Sequence, residues 1–212
     1  MKKIAVLGSG VVGQVLADGF LKHGYEVMRG TREPQKLAAW KAGSKGQVGT
    51  FAEAARFGEL AVLAVKGTAA EAAIAQCDGA LAGKPVIDAT NPIADAPPEK
   101  GVLRYFTGPN ESLMEKLQAG TPKARFVKAF SCVGNAFMVN PDFGGQKPTM
   151  FICGEDADAK RAVSTILDQF GWEVEDLGAA AAARAIEPLC MLWCIPGLTH
   201  NRWSHAFKLL KK

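Results

Sequence analysis

The sequence predicts an α/β chain with a Rossmann-type, doubly wound, mostly parallel sheet and a short C-terminal helical segment. Three observations carry this. Lys3–Leu7 is an apolar run that passes straight into Gly8-Ser9-Gly10-Val11-Val12-Gly13, after which Val12, Val15, Leu16, Gly19 and Phe20 recur at helical spacing. Leu60–Val65 is apolar on both faces, as a central parallel strand must be. Strand-like and helix-like stretches then alternate along the rest of the chain.

The elements follow in order. Tyr25–Arg29 reads as the second strand. Pro34–Ala42 reads as a helix, with proline in its first turn and Gly43 behind it. Gln47–Gly49 suits a short edge strand. Thr50 and Glu53 form a T-x-x-E capping box, and Thr68 with Glu71 suggests a second one opening a helix to about Cys77. Pro85–Ala89 is the next strand, and proline-rich Ile93–Gly108 a loop over the sheet edge. Ser112 and Glu115 cap a further helix, Arg125–Phe130 is a strand, and Gly134–Gln146 is irregular. Pro148–Cys153 and Trp172–Leu177 are the last strands, with a helix between them capped by Asp156 and stopped by Gly171. Ala179–Leu192 is a strong helix former. Pro196 and Gly197 are expected to break it before a final amphipathic helix, Asn201–Leu210. Residues 1–178 are expected to form the main domain and 179–212 a helical segment packed on it.

Each glycine of the first loop has a chemical reason. Gly8 makes the turn off the strand, Gly10 lets backbone approach a pyrophosphate, and Gly13 lets the helix pack closely on the sheet. Free N–H groups at the helix start then hold the phosphates. An NAD site places an acid at the tip of the second strand, to take the ribose 2′-hydroxyl. Here the tip is Gly30-Thr31-Arg32, with Lys36 one helical turn on. A hydroxyl, a guanidinium fork and an ammonium suit a 2′-phosphate, and so NADP(H). Glu33 stands past the arginine and reads as a helix-start acid.

Composition narrows the function classes. The net charge is +4, with lysines and arginines scattered, which argues against a nucleic-acid partner. No segment of about twenty apolar residues that could span a membrane is read in the sequence, so no membrane partner is expected. The five cysteines include no C-x-x-C pair, and the apolar run after Met1-Lys2-Lys3 is too short for a signal peptide. A reduced, cytoplasmic protein is the expectation.

Ligands in such a sheet bind beyond the carboxyl ends of the strands. Beyond the first two loops this selects Ala64-Val65-Lys66, Asn91-Pro92 and Ser131-Cys132 as cofactor contacts. Lys66 and Asn91 fit equally well as a surface charge and a turn former. Ser131-Cys132 is favoured as the edge that meets the nicotinamide amide. No acid–base constellation accompanies these loops. His23 reads as a helix cap, and His200 and His205 lie in the tail. Cys190 and Cys194, at i and i+4 in apolar company, read as packing and not as metal ligands. No catalytic residue and no metal is assigned. Direct hydride transfer to a flat redox ring needs position and exclusion of water more than a proton relay. Ile93–Gly108, Ser131–Pro141 and the tail from Pro196 are the candidates to cover the reacting edge. Trp193, Trp203 and Phe207 of that tail region suit three roles: stacking on the acceptor, packing on a second subunit, or closing this subunit's own core.

The stretches GSGVVGQVLADGFLKHGYEVMRGTREP, KPVIDATNPI, RFVKAFSCVGNAFMVNP and ARAIEPLCMLW together resemble the F420H2:NADP oxidoreductase family, the NADP-dependent enzymes of the deazaflavin coenzyme F420. The resemblance implies a Rossmann-type domain, NADP(H) held by the glycine loop and by Thr31 and Arg32, and hydride exchange with F420 or a flavin as co-substrate. It also implies that the third stretch lines the nicotinamide pocket. Where relatives usually carry Asn-Thr, this chain has Ser131-Cys132. The expected partners are a small-molecule redox acceptor and a second copy of the chain. A ferric/flavin or small-imine reductase, and a non-catalytic NADPH-sensing module, are the alternatives.

Overall fold

The computed structural model describes residues 1–212. Its centre is a six-stranded, wholly parallel sheet. The strands are β1 (Lys3–Leu7), β2 (Glu26–Gly30), β3 (Gln47–Gly49), β4 (Leu60–Leu63), β5 (Pro85–Asp88) and β6 (Arg125–Lys128). Their order in space is β3-β2-β1-β4-β5-β6. The chain therefore reverses direction across the sheet between β1 and β4, and a crevice opens at that switch.

Helices α1 (Val11–Lys22), α2 (Ala38–Gly43), α3 (Phe51–Phe57), α4 (Ala70–Ala75), α5 (Leu113–Gly120), α6 (Ala157–Gln169) and α7 (Ala183–His200) cover both faces. Two apolar clusters result, one on each side of the sheet. One gathers Ile4, Leu16, Phe20, Ile166 and Phe170, the other Leu7, Leu63, Ile74, Met114 and Ile186. β1, β4 and β5 feed both clusters with alternate side chains, which is why Ile4–Leu7, Leu60–Leu63 and Pro85–Ile87 are apolar without interruption.

Local signals were largely followed. Thr50 accepts from Glu53 N and Glu53 accepts from Thr50 N, a complete capping box. Ser112 and Asp156 cap α5 and α6 by the same kind of bond. The Pro34 segment splits into a 3-10 turn (Pro34–Leu37) and α2.

Four expectations need correction. The Thr68–Glu71 box does not form; a 3-10 turn over Gly67–Ala69 leads into α4 without a side-chain cap. A Cβ on Gly67 would lie 2.1 Å from the Asn91 carbonyl. That close approach starts the turn one residue early and leaves Thr68 inside it. Second, β7 (Thr149–Ile152) and β8 (Glu173–Asp176) form a separate parallel pair, tied to the main sheet through one antiparallel bridge, Lys128 to Cys153.

Third, Pro196 and Gly197 do not break the last helix. α7 runs through both Pro188 and Pro196 and ends at Asn201, which adopts the left-handed conformation. Residues 201–212 form no helix. They run beside β7, where Thr149 N donates to Phe207 O and Leu209 N donates to Thr149 Oγ1. Lys208–Glu173 and Lys211–Glu175 pairs fix the same stretch along β8. Tertiary backbone pairing has overridden the helical periodicity of the tail. Fourth, because the two prolines leave the helix whole, Ala180–His200 makes one 21-residue stretch that holds an 18-residue window of mean hydropathy 1.2. By length and composition alone it is long and apolar enough to cross a membrane, a property hidden when the sequence is divided at Pro196.

Candidate active site at the carboxyl ends of the strands

The crevice has two lobes that share Val65 and Lys66. The first is lined by the glycine loop (Gly8, Ser9, Gly10), by Thr31, Arg32 and Lys36 beyond β2, and by Ala64 beyond β4. The second is lined by Val12 of α1, by Ala89, Thr90 and Asn91 beyond β5, and by Ile93–Pro97. Loops from four strands thus line two adjoining lobes.

The glycines do different work. Gly8 has φ +148°, and a Cβ there would stand 2.1 Å from the Ala64 carbonyl. A Cβ on Gly13 would stand 2.7 Å from the Gly8 carbonyl, so α1 seats directly on the loop. A Cβ on Gly10 meets nothing within 4 Å. The protein itself has no need of glycine at position 10; the space its missing side chain leaves opens onto the cleft at the start of α1. That is the opening a pyrophosphate requires.

At the other end of the first lobe Thr31 is buried, its N–H donating to Gly49 O, while Arg32 is exposed along the wall. Lys36 is paired with Glu33 at 2.7 Å. Glu33 does stand at the N-cap of the 3-10 turn, but its side chain bonds Lys36 and makes no capping bond; that bond holds its carboxyl below the ordinary value. Arg32 is left as the unpaired cation of this lobe, and Lys36 as a shared one.

The second lobe is held from behind. Lys128, fully buried, donates to Asp88 Oδ2 at 2.7 Å and to the Thr90 carbonyl at 2.9 Å, and pairs with Glu187 Oε1 at 2.8 Å. Asp88 Oδ1 takes the N–H and hydroxyl of Thr90. Glu187, reaching in from α7, takes the first N–H groups of α5, at Leu113 and Met114. Burial works against the ammonium, but Asp88 and Glu187 outweigh it and hold Lys128 above its ordinary value. The Thr90–Asn91 turn is thus fixed from below. Asn91 Nδ2 donates to Ser131 O at 2.9 Å. Its Oδ1 and the Ser131 hydroxyl are buried with no partner in the protein.

Of the residues selected from the sequence, the cleft brings together Gly8, Ser9, Gly10, Val12, Thr31, Arg32, Lys36, Ala64, Val65, Lys66 and Asn91. Gly13 and Pro92 are buried behind it. Val11 is exposed at the helix start. Ser131 and Cys132 are each 2% exposed and stand behind Asn91 instead of on the wall; burial pushes the Cys132 thiol up to about 12. No histidine lies at the cleft: His23 bonds Asn140, and His205 stacks on Trp193 and bonds its carbonyl. No residue of the tail from Pro196 lines either lobe. Trp193 packs over Gly134 and is buried in its own subunit, whereas Trp203 packs over Gly197 and stays 40% exposed. Of the three proposed covers, Ile93–Pro97 alone reaches the cleft.

A family model described as NADP oxidoreductase, coenzyme F420-dependent, matches residues 3–92. The crystal structure of a candidate F420-dependent NADP-reductase from Arthrobacter sp. FB24 superposes with a TM-score of 0.92, at 31% identity over 100% of both chains. The chain belongs to this family. It is an NADP-dependent oxidoreductase.

Two further relatives bracket the oxidoreductase. The metalloreductase STEAP3 of Rattus norvegicus is 31% identical over 201 residues, which are 92% of this chain and 38% of that protein. The chain thus spans 38% of the length of that curated relative. A reductive aminase from Aspergillus terreus, solved with NADPH and ethyl levulinate, has a TM-score of 0.69 at 19% identity, over 95% of this chain and 63% of that one. It shares the fold.

Sequence reasoning missed Asp88, Lys128 and Arg29. Lys128 and Asp88 are opposite charges at the ends of β6 and β5, and they face each other in register. Arg29 is a lone cation in β2 whose guanidinium lies wholly buried. A charge within a two-sided apolar strand was the available signal in both cases.

Proposed function

We propose that the oxidoreductase passes hydride between NADP(H), lying along the first lobe, and a deazaflavin (F420) or flavin-like acceptor in the second. The adjacency of the two lobes, which share Val65 and Lys66 as a common wall, carries this reading. The glycine loop and the first turn of α1 hold the pyrophosphate. Thr31 and Arg32 take the 2′-phosphate, with Lys36 assisting. The nucleotide supplies the hydride; the chain supplies position. Asn91, fixed by Ser131 and by the Thr90 turn, marks the nicotinamide end. Ile93, Ala94 and Pro97 give that end an apolar wall that keeps water from the reacting edge. No histidine lines this lobe, and its titratable side chains, Lys66 and Asp95, pair with each other at 3.6 Å, so the reading takes an acceptor that accepts hydride directly.

The similarity to a metalloreductase favours a second reading, reduction of ferric iron through a free flavin. The acceptor decides between them. NADPH oxidation is followed with F420, FMN, FAD, riboflavin and a ferric chelate with and without flavin. The account expects turnover with F420 or a flavin alone. Turnover that needs ferric iron supports the second reading, and no turnover with any acceptor leaves the NADPH-sensing alternative.

We further propose a homodimer in the cytoplasm. The exposed Leu192 and Leu198 of α7 suit a second subunit, and five unpaired cysteines suit a reducing compartment. Light scattering that reports a monomer at micromolar concentration would remove the dimer.

A further inference from the structure

Arg29 is the least expected residue in the sheet. It is 0% exposed, near the end of β2. Its Nη2 donates to the Gly8 carbonyl at 3.3 Å and the Gly10 carbonyl at 3.2 Å. Its plane lies against Trp40, 4.9 Å from the ring centroid. Nε and Nη1 are buried with no hydrogen-bond partner. No carboxylate accepts from it: Asp18, the acid that acts on it at a distance, is bonded by its Oδ1 to Trp40 Nε1 at 2.7 Å.

A buried cation without a counter-ion, and with two donors unmet, is an expensive way to hold a fold together. Methionine at the same site would meet Trp40 without that cost. The place of the guanidinium gives it another use. It lies on the inner side of the glycine loop, and the two groups it touches are loop carbonyls. In a planar trans peptide the carbonyl and the N–H of the same unit point opposite ways. Drawing the Gly8 and Gly10 carbonyls inward therefore turns the Ser9 and Val11 N–H groups outward. Ser9 and Gly10 line the cleft.

We infer that Arg29 is a positioning residue for the nucleotide's pyrophosphate: it aims the loop amides at the phosphates and places beneath them a positive charge whose counter-ion is the ligand. The role rests on the proposed seat of the pyrophosphate at the glycine loop. It differs from that of Arg32, because it does not depend on a 2′-phosphate. Arg29 acts on NADPH and NADH alike.

The test pairs binding with stability in Arg29→Met and Arg29→Lys. Affinities for NADPH, NADH and 2′-AMP are measured by calorimetry, and melting is followed without nucleotide. The methionine variant should lose about tenfold in affinity for both dinucleotides. Its 2′-AMP affinity should be unchanged, since that probe lacks the pyrophosphate and reports the Thr31–Arg32 end alone. Its melting temperature should not fall. The lysine variant keeps the charge without the fork and should recover part of the loss. Unchanged dinucleotide affinity overturns the inference. So does a parallel loss of 2′-AMP binding, which marks a merely structural role. Should the methionine chain not fold, the lysine chain carries the same comparison: a partial loss confined to the dinucleotides supports the role, and wild-type affinity overturns it. Gly10→Val separates this inference from the reading beneath it. If Gly10→Val also leaves NADPH affinity intact, the seat of the pyrophosphate is wrong; if only the Arg29 variants do, the seat stands and Arg29 has no part in it.

Discussion

The two lobes of the cleft are built in opposite ways. The first is organised locally: Gly8 to Lys36 is one loop–helix–strand–turn that carries the glycine loop and the Thr31–Arg32 tip, while Phe51, Ala64–Lys66 and α4 complete its wall. The second is assembled from afar. Asp88, Lys128 and Glu187 come from β5, β6 and α7, and their pairing fixes the Thr90–Asn91 turn. The first lobe therefore owes its shape to glycine geometry, and the second to buried charge. A mutation in the first should change binding and spare the fold. A mutation behind the second should damage the fold first.

The largest expected effect is in the first lobe. Gly10→Val should remove dinucleotide binding while leaving circular dichroism and melting near wild type, because its side chain enters space the protein leaves empty. Gly8→Ala is the contrast. Its Cβ is driven against the Ala64 carbonyl at a backbone angle that suits glycine, so stability should fall along with binding. If both variants behave alike, the division of labour within the loop is wrong.

Lys128→Met should come next, costing about 3–5 kcal/mol in denaturant unfolding, because it strands two buried carboxylates. The sign of its pH dependence follows from the raised pKa of Lys128. Its contribution is whole below about pH 10.4, the unfolded value, and is lost as pH climbs through the higher folded value. The deficit of the variant should therefore stay constant through neutral pH and shrink only in strong alkali. A deficit that shrinks between pH 6 and 8 would point to another group.

This contrast also explains what the sequence made legible. The first lobe could be read from spacing, because glycine positions and the Thr31-Arg32 tip are local signals. The Asp88–Lys128–Glu187 cluster could not, since no local pattern tells that residues 40 and 59 positions apart will meet. The tail misled for a related reason. Its helical periodicity was real, but Thr149 and β8 offered backbone and ion-pair partners that a helix cannot use. Ser131 and Cys132 follow a strand end as expected, yet they are buried, because β7 and β8, expected as strands but not as a separate pair, pack against that side; Phe130 N donates to Met150 Sδ.

The smallest effect is at Lys36. It shares its charge with Glu33, and the pair is exposed, so Lys36→Ala should weaken NADPH by only a few-fold, about 0.5–1 kcal/mol, and leave NADH unchanged. A loss as large as that of an unpaired cation would mean that Glu33 releases it when the nucleotide binds.

The central claim is that the first lobe selects NADP(H) by its 2′-phosphate, with Arg32 as the unpaired cation that takes it. Calorimetry of NADPH and NADH on the wild type and on Arg32→Ala tests it most directly. A lost charge-assisted bond is about 1.5–3 kcal/mol, so NADPH affinity should fall roughly ten- to a hundredfold, NADH affinity should hold, and the preference between them should collapse. Equal losses for the two nucleotides, or a preference that survives the substitution, would contradict the assignment.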